Sequence, residues 1–87
     1  MVLYVADAQH EDARAVAAAL QSRLVDVAPG AHEFTIVEVL SDPRRASQNG
    51  VFAPPTIVRE DAPEQPRVFG DLSDPVAVLR NLGVGKV

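Results

Sequence analysis

Eighty-seven residues with a formal net charge of -4 and no cysteine make one small domain, spanning 1–87, near the lower end of what folds without staples. Disulfides, thiolate metal sites and thiol chemistry are excluded, and with no basic cluster beyond Arg44-Arg45 nucleic acid is not an expected partner. Hydrophobic residues make up 47% of the chain but aromatics only 5%, so Val, Leu, Ile and Ala must build the core, and either modest stability or self-association as a dimer or tetramer is expected.

No apolar run approaches the roughly 18 residues of a membrane span, and Met1 leads into a strand pattern without a signal peptide. The expectation is a cytoplasmic domain with no membrane partner. The Ala-, Val- and Arg-heavy composition suggests a GC-rich bacterial genome.

Val2 to Ala6 is a continuous apolar run, the pattern of a strand buried on both faces. Asp7 to His10 is a polar turn. From Glu11 a helix is predicted, with Ala13, Val16, Ala17, Leu20 and Leu24 on one face. Glu11 and Asp12 lie in its first turn, where the helix dipole favours negative charge, and Pro29-Gly30 ends it. Phe34 to Leu40 reads as the second strand, parallel to the first through a right-handed crossover.

Ser41-Asp42-Pro43 and Ser73-Asp74-Pro75 repeat one signal. An Asp at the N-cap takes free N–H groups, and a proline at the first helical position lacks the donor that would be orphaned. The first of these helices runs from Pro43 to about Asn49 and stops at Gly50. It is nearly all polar, with Ala46 its one candidate for burial. Between Val51-Phe52 and the β-branched run Thr56-Ile57-Val58 stand two prolines. Proline is excluded from a central ladder, so the strand is Thr56 to Arg59 and the prolines precede it. The Pro54–Pro55 bond, and so Pro55, is the candidate for a cis peptide, since X-Pro is where cis costs little. Glu60 to Pro66 is a turn, Arg67 to Phe69 a short antiparallel strand, and Gly70-Asp71-Leu72 a second turn. The last helix runs from Pro75 to Leu82 with Val76, Leu79 and Leu82 inward, closed by Gly83. The order is βαβαββα.

Residues with catalytic or ligating chemistry are few. His10, Glu11 and Asp12 are a solvated helix start rather than a metal cluster, because His32 lies in a distant loop and nothing supplies a second ligand at a reliable spacing. Ser41 and Ser73 have capping-region roles, neither histidine has a reason to approach them or Thr56, and Tyr4 lies in the buried first strand. Gly83-Val84-Gly85 is a helix end and tail, not a phosphate loop. No catalytic, cofactor-binding or metal residue is expected, and no enzyme.

The order of elements, with A-P-P-T (Ala53 to Thr56) before the third strand, resembles the thioredoxin fold, which carries a cis-proline followed by Thr at that place. Its redox site would fall on Asp7-Ala8-Gln9-His10, where this chain has no cysteine. More closely, L-Y-V-A (Leu3 to Ala6), V-L-S-D-P (Val39 to Pro43), A-P-P-T and G-D-L-S-D (Gly70 to Asp74) resemble the KaiB family, clock proteins that bind the hexameric ATPase KaiC. The resemblance covers nearly the whole chain. It departs where the family's A-T-P-T has become A-P-P-T, and in lacking a longer acidic tail.

That resemblance implies two candidate folds: a thioredoxin-like α/β domain, or a ground-state arrangement βαββααβ, with proline isomers differing between them. The polar, capped segment Pro43–Asn49 suits a helix and Thr56–Arg59 a strand, which favours the thioredoxin-like form. It also implies a non-enzymatic module that docks on and regulates a KaiC-type ATPase, in circadian or stress and signalling control. The expected partner surface is the edge strand and the helix beside it: Val37, Glu38, Val39, Arg44, Arg45, Gln48 and Asn49. Gly70, Asp71 and Asp74 are turn and capping residues that the resemblance makes candidates for setting the balance between folds. Two alternatives are a stand-alone sensory domain related to that of a clock histidine kinase, and a cysteine-free enzyme of the thioredoxin family.

Overall fold

The computed structural model describes residues 1–28, 30, 33–51 and 54–84. Seven elements follow in the order β1 (Val2–Val5), α1 (Glu11–Val27), β2 (Thr35–Glu38), α2 (Pro43–Gln48), β3 (Thr56–Val58), β4 (Arg67–Phe69) and α3 (Pro75–Asn81). Helices in the C-terminal half at Pro43 and Pro75, with strands between, make this the thioredoxin-like arrangement and not the alternative βαββααβ.

The strands form one mixed sheet in the order β2-β1-β3-β4. β1 and β2 run parallel, with Leu3 opposite Ile36. β3 is antiparallel to β1, with Leu3 opposite Ile57, and β4 is antiparallel to β3. All four residues of β1 are buried, as its unbroken apolar run requires of a strand covered on both faces. Alternation divides them. Leu3 and Val5 join Ile57 under α1 and α3, where Leu20, Leu24, Val78, Leu79 and Leu82 complete the larger core. Val2 and Tyr4 join Val37 and Val58 on the opposite face, closed by Ala46 of α2 and by Val51.

The helix ends follow the local chemistry. His10 caps α1, its Nδ1 accepting from the Asp12 N–H at 3.2 Å. Asp42 caps α2 through the Arg45 N–H and Asp74 caps α3 through the Ala77 N–H, both at 3.2 Å, each ahead of a proline. Both short helices finish in the same glycine motif. Gly50 and Gly83 have φ of +70° and +76°. Val51 N–H then reaches Ala46 O at 2.8 Å and Val84 N–H reaches Leu79 O at 2.9 Å, the six-to-one bond of a Schellman motif.

Three expectations need correction. Val76 is not inward: it is 40% exposed, and Val78 holds the core position. At 100° per residue Val78, Leu79 and Leu82 share an arc of roughly 100°, and Val76 falls about 110° from its centre. β2 ends at Glu38, two residues before the predicted Leu40, because the Glu38 carbonyl accepts from Ser41 and Asp42 at 3.1 and 3.0 Å and turns the chain into α2. β3 ends at Val58, although the Arg59 N–H still bonds Pro66 O at 2.9 Å. The Pro54–Pro55 peptide is cis. Pro29, His32, Phe52, Ala53 and Gly85, named in the sequence reading, lie outside the described residues.

Candidate functional site: an open strand edge beside a short helix

β2 is the outer strand beside β1. Its Thr35 N–H donates to Met1 O at 3.0 Å, and the Val39 N–H to Val5 O at 2.8 Å. In a parallel ladder every second residue bonds the neighbour, so the main chain of Ile36 and Glu38 is turned away from β1. That is the side a further strand would pair with.

The sequence-predicted residues divide around this edge. Val37 is buried beneath α2 and Val39 partly so, and their main chain lies on the side that bonds β1, so it is the residues between them that open onto the edge. Glu38 is half-buried, its Oε2 accepting from Ser41 Oγ at 3.4 Å. On α2, Arg44 and Gln48 are exposed. Arg45 and Asn49, expected on the same surface, are half-buried and tied to neighbouring groups. Arg45 Nη2 lies 3.8 Å from Glu60 Oε1 in the β3–β4 loop. Asn49 Nδ2 donates to Arg45 O at 2.9 Å, and its own carbonyl accepts from Arg67 Nη1.

Two residues of this surface were missed by the sequence reading. Leu40 is 82% exposed and Ile36 41%. Both sat inside the predicted edge strand Phe34 to Leu40 without being singled out, since a run of F-T-I-V-E-V-L gives no sign of which face of an edge strand is left uncovered. They bracket Glu38 along the open edge.

Behind the edge lies a polar link. The Tyr4 hydroxyl, in an otherwise buried side chain, donates to Glu60 Oε2, and Glu60 also pairs with Arg45. Burial is the largest cause raising the phenol's pKa above its usual value, with the Glu60 hydrogen bond and charge adding to it and Arg45 opposing. Across the molecule Asp71 Oδ1 accepts from the Ser73 N–H at 2.9 Å. Hydrogen bonding to Ser73 holds that carboxyl below its ordinary value. With Gly70 at φ +92° and Asp74 at the α3 cap, the three turn residues have structural work to do here. Among the described residues no group of three His, Cys, Asp or Glu is placed to hold a metal ion, and no helix is long and apolar enough to cross a membrane.

No protein-family model matches the chain. Curated relatives do. The circadian clock oscillator protein KaiB of Rippkaea orientalis is 32% identical over 80 residues, 92% of this chain and 76% of that protein. KaiB of Microcystis aeruginosa is 31% identical over the same shares of both. The circadian clock protein KaiB3 of Synechocystis is 33% identical over 53 residues, 61% of this chain and 52% of its own. With likeness of this extent laid over an unbroken thioredoxin-like sheet, the chain belongs to the KaiB family.

Proposed function

We propose that the chain is a non-enzymatic binding module that docks on and regulates a KaiC-type ATPase through the open β2 edge and the exposed side of α2. The observation that carries this reading is the edge itself. Main-chain groups of Ile36 and the Glu38 N–H face outward, flanked by two apolar side chains that a lone domain gains nothing by exposing. Arg44 and Gln48 extend the same surface along α2. The names of the relatives place them in a circadian oscillator, which supports a clock or signalling partner. A chain without cysteine has no thiol chemistry to offer.

The test is co-elution and biolayer interferometry with the KaiC-type ATPase encoded in the same genome, in the presence of ATP. The wild-type chain associates. Ile36→Lys and Leu40→Asp, both surface changes expected to leave stability within about 0.5 kcal/mol, weaken association at least about tenfold. A wild-type chain that does not associate, or variants that bind as well as wild type, would sink the reading.

A further inference from the structure

A second surface lies on the other side of the sheet. At the C-terminal end of β1 a hollow of about 230 Å³ is floored by Val5, Ala13, Val16, Pro54 and Pro55. A second hollow of about 440 Å³ continues from it, since Val16 and Pro55 line both, and ends at Leu72 and the Gly70–Ser73 turn. The two make one groove, apolar along its floor, between α1 and the two loops.

Its rim is acidic apart from His10, which borders the first hollow. Asp7 and Asp12 border the first hollow, Asp12 and Asp71 the second, and among the described residues no Arg or Lys lines either. The partial positive charge of the α1 N-terminus, roughly half a unit, does not offset three carboxylates. Asp7 Oδ1 takes the Gln9 N–H and Asp71 Oδ1 the Ser73 N–H, each at 2.9 Å. A carboxylate has about four acceptor sites, so each has capacity beyond the turn it holds. The Asp12 side chain is 92% exposed.

We propose that this groove binds an extended basic peptide segment, with one apolar side chain in the first hollow and flanking Arg or Lys side chains against Asp7, Asp12 and Asp71. Shape favours a peptide over a free small molecule. The first hollow, at about 230 Å³, is sized for one side chain, and the second continues from it to the Gly70–Ser73 turn, so an occupant that fills the groove must extend across both. Charge selects the class of peptide, because an acidic or neutral segment would desolvate the rim for nothing in return. This surface is separate from β2 and α2, so it stands or falls independently of ATPase docking.

The experiment is an NMR titration of the full chain with the blocked peptide Arg-Arg-Gly-Leu-Gly-Arg-Arg. Two control peptides carry glycine for the leucine, or glutamate for every arginine. The expected shifts are confined to amides of Ala6–Val16 and Gly70–Ser73, and both controls bind at least about tenfold more weakly. Ala13→Leu fills the hollow and the pair Asp7→Asn with Asp12→Asn removes rim charge; each lowers affinity about tenfold. The Asn pair decides the matter if the leucine variant fails to fold. Shifts spread over Glu33, Asp61 and Glu64, equal binding of the leucine-free peptide, shifts centred on β2 and α2, or no shifts at millimolar peptide would each overturn the proposal.

Discussion

Tyr4 is buried among Val2, Val37 and Val58, yet its hydroxyl needs a partner, as buried phenols generally do. Glu60 supplies it from the β3–β4 loop, and Arg45 holds Glu60 from α2. One side chain of the central strand is thereby tied to two segments distant in sequence. Because its folded pKa is raised, the phenol keeps its proton when the unfolded chain has lost it. The resulting stability is complete below the ordinary value of 10.0 and lost as pH rises from there through the raised value. Tyr4 is the only tyrosine and tryptophan is absent, so phenolate absorbance reads this group alone. Glu60→Gln removes the neighbouring charge and is expected to bring the titration down toward 10.0, whereas Arg45→Ala removes the opposing influence and moves it up. Equal midpoints in the three proteins would show that the link does not exist in solution. Asp71 has the opposite sign: its lowered pKa gives stability that is present above 3.8 and lost as pH falls below it.

At the scale of elements α2 has six residues, of which Ala46 alone is buried, so little but its ends keeps it helical. Those ends are Asp42, the Gly50 turn and the Arg67 guanidinium on the Asn49 carbonyl. Arg59 does for α3 what Arg67 does for α2, donating from Nη1 to Leu82 O at 3.2 Å. The two arginines leave adjacent hairpin positions on opposite faces: Arg67 shares the face of Val58, its cross-strand partner, and Arg59 that of Ile57. Asp42→Ala is expected to cost about 1 kcal/mol. Gly50→Ala costs about the same from its φ of +70°, and the new Cβ would also meet Arg67 Nη1 at 3.3 Å. Urea unfolding checks both, and α2 amides should exchange faster in each variant.

The sequence was most legible where a residue acts on its own backbone. Asp42-Pro43, Asp74-Pro75, Gly50 and Gly83 each announce a helix end because capping is local, and the spacing of Ala17, Leu20 and Leu24 shows the buried side of α1 for the same reason. What stayed hidden depends on register. Nothing near Arg67 or Arg59 in sequence indicates a helix end on either side of the sheet, and Arg45 looked like a free surface charge until Glu60 was brought across to it. Val76 shows the limit of reading a seven-residue helix: two helical phases fit the same few valines and leucines, and packing against α1 chose between them.

Over the whole molecule the two faces of the sheet are unequally covered. One carries the 17 residues of α1 and the seven of α3, packed through Leu20, Leu24, Leu79 and Leu82; among the described residues the one helix on the other is α2, with six. Burial scales with apolar area, so the α2 side should open at lower free energy than the sheet as a whole. Leu20 is fully buried, and Leu20→Ala is expected to remove about 2–5 kcal/mol, a large share of the roughly 5–15 kcal/mol of a small domain. Native-state hydrogen exchange separates the two levels. In Leu20→Ala the slowest amides, those of β1 and β3, should lose the whole of that amount, while α2 amides, already exchanging through a smaller opening, change little. Ala46→Gly, worth about 1 kcal/mol, lies in the segment that opens first and should speed α2 and β1 amides alike, so the contrast between the two substitutions is read at α2. If both substitutions shift every amide equally, the domain opens only as one unit, and the surface proposed for docking is as rigid as the core behind it. If they separate, the helix beside the open strand edge is the part of the molecule that can rearrange against a partner without unfolding the rest.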